Sequence, residues 1–114
     1  SYYSTYYGKT TWAEPQLRNP GLNLPDLPWY DFTIKVKDSG KTMGAAVINH
    51  LGNGPTTWHN ISTLWMLNPV ITAAGPVTIR PGSPLTLRYR VVVHDGPPPT
   101  WVIQKLSDEY RGGR

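Results

Sequence analysis

Residues 29–49 read WYDFTIKVKDSGKTMGAAVIN. The first nine alternate with a period of two: Tyr30, Phe32, Ile34 and Val36 fall on one side, Asp31, Thr33, Lys35 and Lys37 on the other. That is the pattern of a half-buried strand with its polar face to solvent. DSGK (38–41) is a turn, and Gly40 in it can take a positive φ. TMGAAVIN (42–49) follows as a strand of small residues, so 29–49 reads as an antiparallel hairpin. Gly44, Ala45 and Ala46 leave room for something bulky overhead.

Working outward, the same grammar recurs. ISTLWML (61–67), VITAA (70–74) and VTIR (77–80) read as short strands between turns. PLTLRYRVVVH (84–94) reads as the longest strand, with Leu85, Leu87, Tyr89, Val91 and Val93 on one face and Thr86, Arg88, Arg90, Val92 and His94 on the other. DGPPP (95–99) ends it. TWVIQKLSDEYR (100–111) is the single helix candidate, N-capped by Thr100, with Val102, Leu106 and Tyr110 every four residues on one face. Residues 1–28, rich first in Tyr and then in Pro, form an extended segment packed on the domain. Residues 29–114 form the domain itself. The fold class is all-β: an antiparallel β-sandwich or jelly roll with one short C-terminal helix.

Composition agrees. At 114 residues the chain supports one core. Gly and Pro, 11 and 12 in number, suit many strands joined by tight turns. The net charge is +4, but the basic residues scatter from Lys9 to Arg114 without a run, which argues against nucleic acid as the partner. There is no cysteine, hence no disulfide framework and no thiolate metal site. No apolar stretch reaches the ~18–20 residues of a membrane span. A start at Ser1 suggests a processed or trimmed N-terminus.

The chemistry-bearing residues gather at strand ends. INHLGNGPTTWHN (48–60) places His50 and His59 around a Gly/Asn/Pro loop with Trp58 beside the second. The third histidine, His94, closes the last long strand. A loop needs glycine and proline, but it does not need imidazole or indole. If the three histidines converge, they can hold a copper or zinc ion and leave an open coordination position. Asp95 or Asn53 would then orient a ligating ring. Without convergence, each histidine satisfies a turn carbonyl or stacks on Trp58. Arg88 and Arg90 share a face with His94 and suit a carboxylate, uronate or phosphate, or else an aromatic ring. Asp31 and Asp95 are the candidate carboxylates of a glycosidase pair. Trp58, in the loop, is the foremost candidate for stacking on a sugar.

GAAVINHLGNGPTTWHN (44–60) and ITAAGPVTIRPGSPLTLRYRVVVHDG (71–96) resemble segments of the "methane oxygenase PmoA-like" family of bacterial proteins. The resemblance spans roughly residues 28–111, as the C-terminal half of a longer family domain, and rests on His50, Asn53, Trp58, His59 and LRYRVVVHDG. Leu51 stands where that family has proline. The resemblance implies a secreted or periplasmic protein in a carbohydrate setting. The leading expectation is therefore a polysaccharide- or oligosaccharide-facing protein with a pocket of His50, Asn53, Trp58, His59 and His94 and with Arg88 or Arg90 at the wall. Two alternatives stand beside it. One is a three-histidine copper enzyme that cleaves polysaccharide oxidatively. The other is a non-enzymatic binding or assembly module, completed as a homodimer by pairing of exposed sheet edges.

Overall fold

The structure is a computed structural model that describes residues 4–5, 24, 26–35, 39–60, 66–73 and 75–112. The 29–49 hairpin is its centre. Strand β2 (Trp29–Lys35) pairs with β3 (Thr42–Asn49) from Trp29↔Ile48 to Lys35↔Thr42, and Gly40 turns the chain between them at φ +68°. Strand β1 (Ser4–Thr5) pairs with β2, and β6 (Tyr89–Asp95) with β3, all antiparallel, in the order β1-β2-β3-β6. Two short strands, β4 (Thr57–Trp58) and β5 (Pro69–Val70), form a separate pair. Helix α1 (Thr100–Arg111) closes the described chain.

Both faces of the β2–β3 hairpin are covered at its Trp29 end. On one face Tyr30 packs with Trp58 and Leu24, flanked by Leu27, Phe32, Val47 and Leu67. Trp58 stacks on Tyr30 at 4.8 Å between ring centroids, and its indole N–H donates to the Leu27 carbonyl at 3.0 Å. On the other face Trp29, Ala46 and Ile48 pack against Ile103, with Val92, Leu106 and Tyr110 around them. Burying side chains of this size stabilises by about 1.5–3 kcal/mol each. The Trp29 indole also donates to Gln104 Oε1 at 3.0 Å, which sets the rotation of the helix.

This double cover corrects two expectations. The Asp31/Thr33 face does not point to solvent: both residues are buried, because α1 folds back over the Trp29 end of that face and His94 of β6 lies against it. Alternation in a strand separates two faces, but it does not say how many are covered. Helix α1 buries Ile103 and Ser107 rather than Val102, and Thr100 is its first residue rather than a side-chain cap. Pro99 precedes it, and the Pro99 carbonyl accepts from the Ile103 N–H at 3.0 Å.

The chain is mostly β with antiparallel sheets and one C-terminal helix, as expected. The described residues do not make a sandwich or jelly roll, since the β4–β5 pair is too small to form a second layer. The long strand expected over 84–94 pairs only from Tyr89 onward, and residues 75–91 are exposed. Most of the segments 1–28 and 61–67 lie outside the described residues, as do Trp12 and Trp65. Among the described residues no helix is long and apolar enough to cross a membrane.

Candidate functional site

The histidines separate. His94 pairs in register with Gly44, whereas His50 follows Asn49 at the far end of the same strand. Six residues at about 3.3 Å each put roughly 20 Å between those positions. His59 holds the end of β4, its N–H donating to the Asn68 carbonyl at 2.8 Å. Among the described residues no group of three or more His, Asp or Glu side chains is placed to hold a metal ion. The three-histidine copper or zinc centre is thus not assembled here, because strand length intervenes.

At the His94 end lies a buried polar cluster. His94 Nε2 stands 2.6 Å from Asp31 Oδ1, and His94 Nδ1 is 3.1 Å from the Gly96 carbonyl oxygen. Thr33 Oγ1 bonds the other carboxyl oxygen, Oδ2. A carbonyl only accepts, so Nδ1 carries a hydrogen and donates it. The Nε2–Oδ1 contact then holds one shared proton, as imidazolium–carboxylate or as imidazole–carboxylic acid. Burial raises the Asp31 carboxyl above its ordinary range, opposed by its hydrogen bonds to Thr33 and His94 and by the His94 charge. Catalysis needs a free nitrogen or carboxyl oxygen in reach of substrate, and here both nitrogens and both oxygens are engaged. The cluster is a clamp that ties β6 across β3 to β2. Asp95 is exposed on the opposite face of the sheet from Asp31, so the two carboxylates are not a glycosidase pair.

A different group assembles at the His50 end. His50 has extended backbone and caps a single 3-10 turn, Leu51–Asn53, its Nδ1 accepting from the Gly52 N–H at 2.9 Å. Asn53 then acts as a strand partner for Arg88. Its side-chain oxygen accepts from the Arg88 N–H at 2.9 Å, and its amide nitrogen donates to the Arg88 carbonyl and to Asn49 Oδ1, both at 2.7 Å. The His50 N–H also donates to the Arg88 carbonyl, at 3.2 Å. From there β6 carries Arg90 over the Tyr110 ring, 4.4 Å from its centroid. The His50 ring meets Tyr110 edge-on at 4.9 Å. Arg111 donates to the Asn49 carbonyl and sits in the last helical turn, where the helix dipole favours a cation.

The outcome is a basic cluster at the C-terminal end of α1: Arg90 and Arg111 beside His50 and Tyr110, with the Arg88 backbone held alongside by Asn53. Among the described residues no carboxylate pairs with the Arg90 or Arg111 guanidinium. Of the expected site residues, the structure brings together His50, Asn53, Arg88 and Arg90. Trp58 is fully buried in the core and has no face to offer a sugar, which corrects its expected role. Tyr110 and Arg111 were missed as site residues. Both read as parts of a helix, and nothing local says that the helix end returns to the His50 loop.

Residues 5–108 match the model of a family of unknown function, DUF6807. The chain belongs to this family. That finding corrects the resemblance to the PmoA-like family, and the expectations that came with it no longer have that support. No curated protein and no solved structure matches the chain. For DUF6807 the functional reading therefore rests on this chain's own geometry.

Proposed function

We propose that the chain is a binding module that holds a carboxylate-bearing ligand at the Arg90/Arg111 cluster, for which an acidic oligosaccharide serves as the probe. The observation that carries this reading is two guanidinium groups, those of Arg90 and Arg111, held next to one imidazole and one phenol ring without a carboxylate partner among the described residues. Unpaired guanidiniums take carboxylates through charge-assisted, often bidentate hydrogen bonds. Tyr110 supports the arginine from below, and Asn53 fixes the strand that delivers it. The hydrolytic reading has no support from two carboxylates on opposite faces, and the copper reading none from histidines about 20 Å apart. A neutral sugar stacked on Trp58 has no support either, with that ring in the core.

Calorimetric titration with an oligogalacturonate, beside a neutral oligosaccharide of the same length, tests this. The acidic glycan binds, the neutral one does not, and Arg90→Ala with Arg111→Ala abolishes binding. Equal affinity for both glycans, or indifference to both substitutions, sinks the reading.

A further inference from the structure

Strand β6 is the edge of the four-stranded sheet, and among the described residues no strand pairs with its outer side. Its sequence, YRVVVHD, has neither the proline nor the lysine that often blunts an edge, and its charges are confined to Arg90 and Asp95. Arg90 is engaged over Tyr110, and His94 is tied to Asp31. Tyr89, Val91 and Val93 are left 38%, 59% and 78% exposed on the opposite face from α1. Beside them, Phe32, Ile34, Met43, Ala45, Val93 and Asp95 line an apolar groove of about 430 Å³ on that same face. A valine-rich edge without a described partner, next to an uncovered apolar face, is a surface for another strand.

We infer that the occupant is a second copy of this chain, with β6 pairing antiparallel to its own counterpart about a two-fold axis at Val92. The strand is complementary to itself in that register. Val91 then lies opposite the partner's Val93, and Tyr89 opposite the partner's Asp95, which sets a phenol hydroxyl beside a carboxylate. All seven residues pair. An axis at Val91 leaves His94 and Asp95 without partners, and one at Val93 sets Asp95 against valine. Arg90 falls opposite the partner's His94, but each already has its own internal contact. The result is a continuous sheet, β1-β2-β3-β6-β6-β3-β2-β1, with both apolar grooves on one side. Leu85 and Leu87, 44% and 36% exposed just before β6, add to the apolar surface beside this edge. Pairing of one seven-residue edge buries less than the roughly 800 Å² per partner of a standard interface, so the dimer is reversible and concentration-dependent. This inference is independent of the acidic-ligand site, which lies on the α1 face.

Sedimentation velocity of the wild-type chain, from sub-micromolar to several hundred micromolar, is the first test. It shows monomer converting to dimer. Val93→Lys, at a position 78% exposed and so harmless to the monomer's fold, raises the dissociation constant about tenfold or more with unchanged far-ultraviolet circular dichroism. The chain has no cysteine, so engineered thiols report register cleanly. Val91→Cys and Val93→Cys chains, mixed and oxidised, form the mixed disulfide dimer in preference to either homodimer. A monomer throughout the range, a dimer indifferent to Val93→Lys, or a homodimeric disulfide as the main product each overturns the proposal.

Discussion

At Gly44 a hydrogen stands where any other residue carries a carbon. A Cβ there would run into the Phe32 carbonyl oxygen and lie 2.9 Å from both Cε1 and Nε2 of His94. The imidazole can reach Asp31 only because Gly44, its cross-strand partner, leaves that space. Gly44→Ala is expected to destabilise by roughly 1–3 kcal/mol, as overpacking does, measured by urea unfolding. Asp31 sets a pH dependence of its own. Its folded carboxyl titrates above the ordinary value of 3.8, because burial disfavours the charge. The folded state therefore holds a proton that the unfolded state has released between those two values. Its contribution to stability is fully present below 3.8 and is lost as pH rises through the raised value. Asp31→Asn removes that slope, so the stability difference between wild type and variant changes with pH across that window. A difference that stays constant there would mean that Asp31 titrates normally.

Among the elements, the 3-10 turn after β3 has the most work placed on one side chain. Asn53 makes three hydrogen bonds that hold the β3 end, Asn49 and Arg88 together. Without it the Arg88 N–H loses its partner. Asn53→Ala is expected to cost about 1–3 kcal/mol and to weaken acidic-ligand binding through Arg90 misplacement, whereas Asn53→Asp retains the acceptor for the Arg88 N–H. Guanidinium denaturation and calorimetry on both variants separate the two effects. Trp58 acts at the same scale but only on the fold. It joins β4 to Tyr30 and to Leu24, with which it exchanges backbone hydrogen bonds of 2.8 and 3.3 Å. Trp58→Ala is expected to cost about 3–5 kcal/mol. In the fraction that stays folded, glycan affinity is unchanged, and a selective loss of affinity would return Trp58 to the site.

For the whole molecule, electrostatics and exposure are distributed unevenly. At the α1 end Arg90 and Arg111 stand together beside His50. Binding of an acidic glycan should therefore weaken steeply with added salt, by about tenfold or more between low and physiological ionic strength. Salt-independent affinity, read by the same titrations, would point to a ligand held by apolar contact instead. The uncovered face beside β6 is the other asymmetry, and it is populated by the residues expected to be core: Val91 and Val93 alternate as a buried strand would, yet nothing described lies over them.

That contrast marks where the sequence reaches its limit. The 29–49 hairpin, the strand through Tyr89–Asp95 and the helix at 100–111 follow from local rules: period, turn residues and proline stops act within a few residues. His50, Asn53, Arg88 and Arg90 were recognisable as candidates because polar groups at strand ends are otherwise unnecessary. Tertiary structure alone decided what covers each face. It placed α1 over Trp29, drew Asp31 and Thr33 inward, sent Trp58 to the core and kept His94 a strand's length from His50. The physical reason is that a strand's pattern records which side chains share a face, while burial depends on what folds back from distant sequence, and a closing helix or a neighbouring chain leaves no mark in the period of the strand it covers.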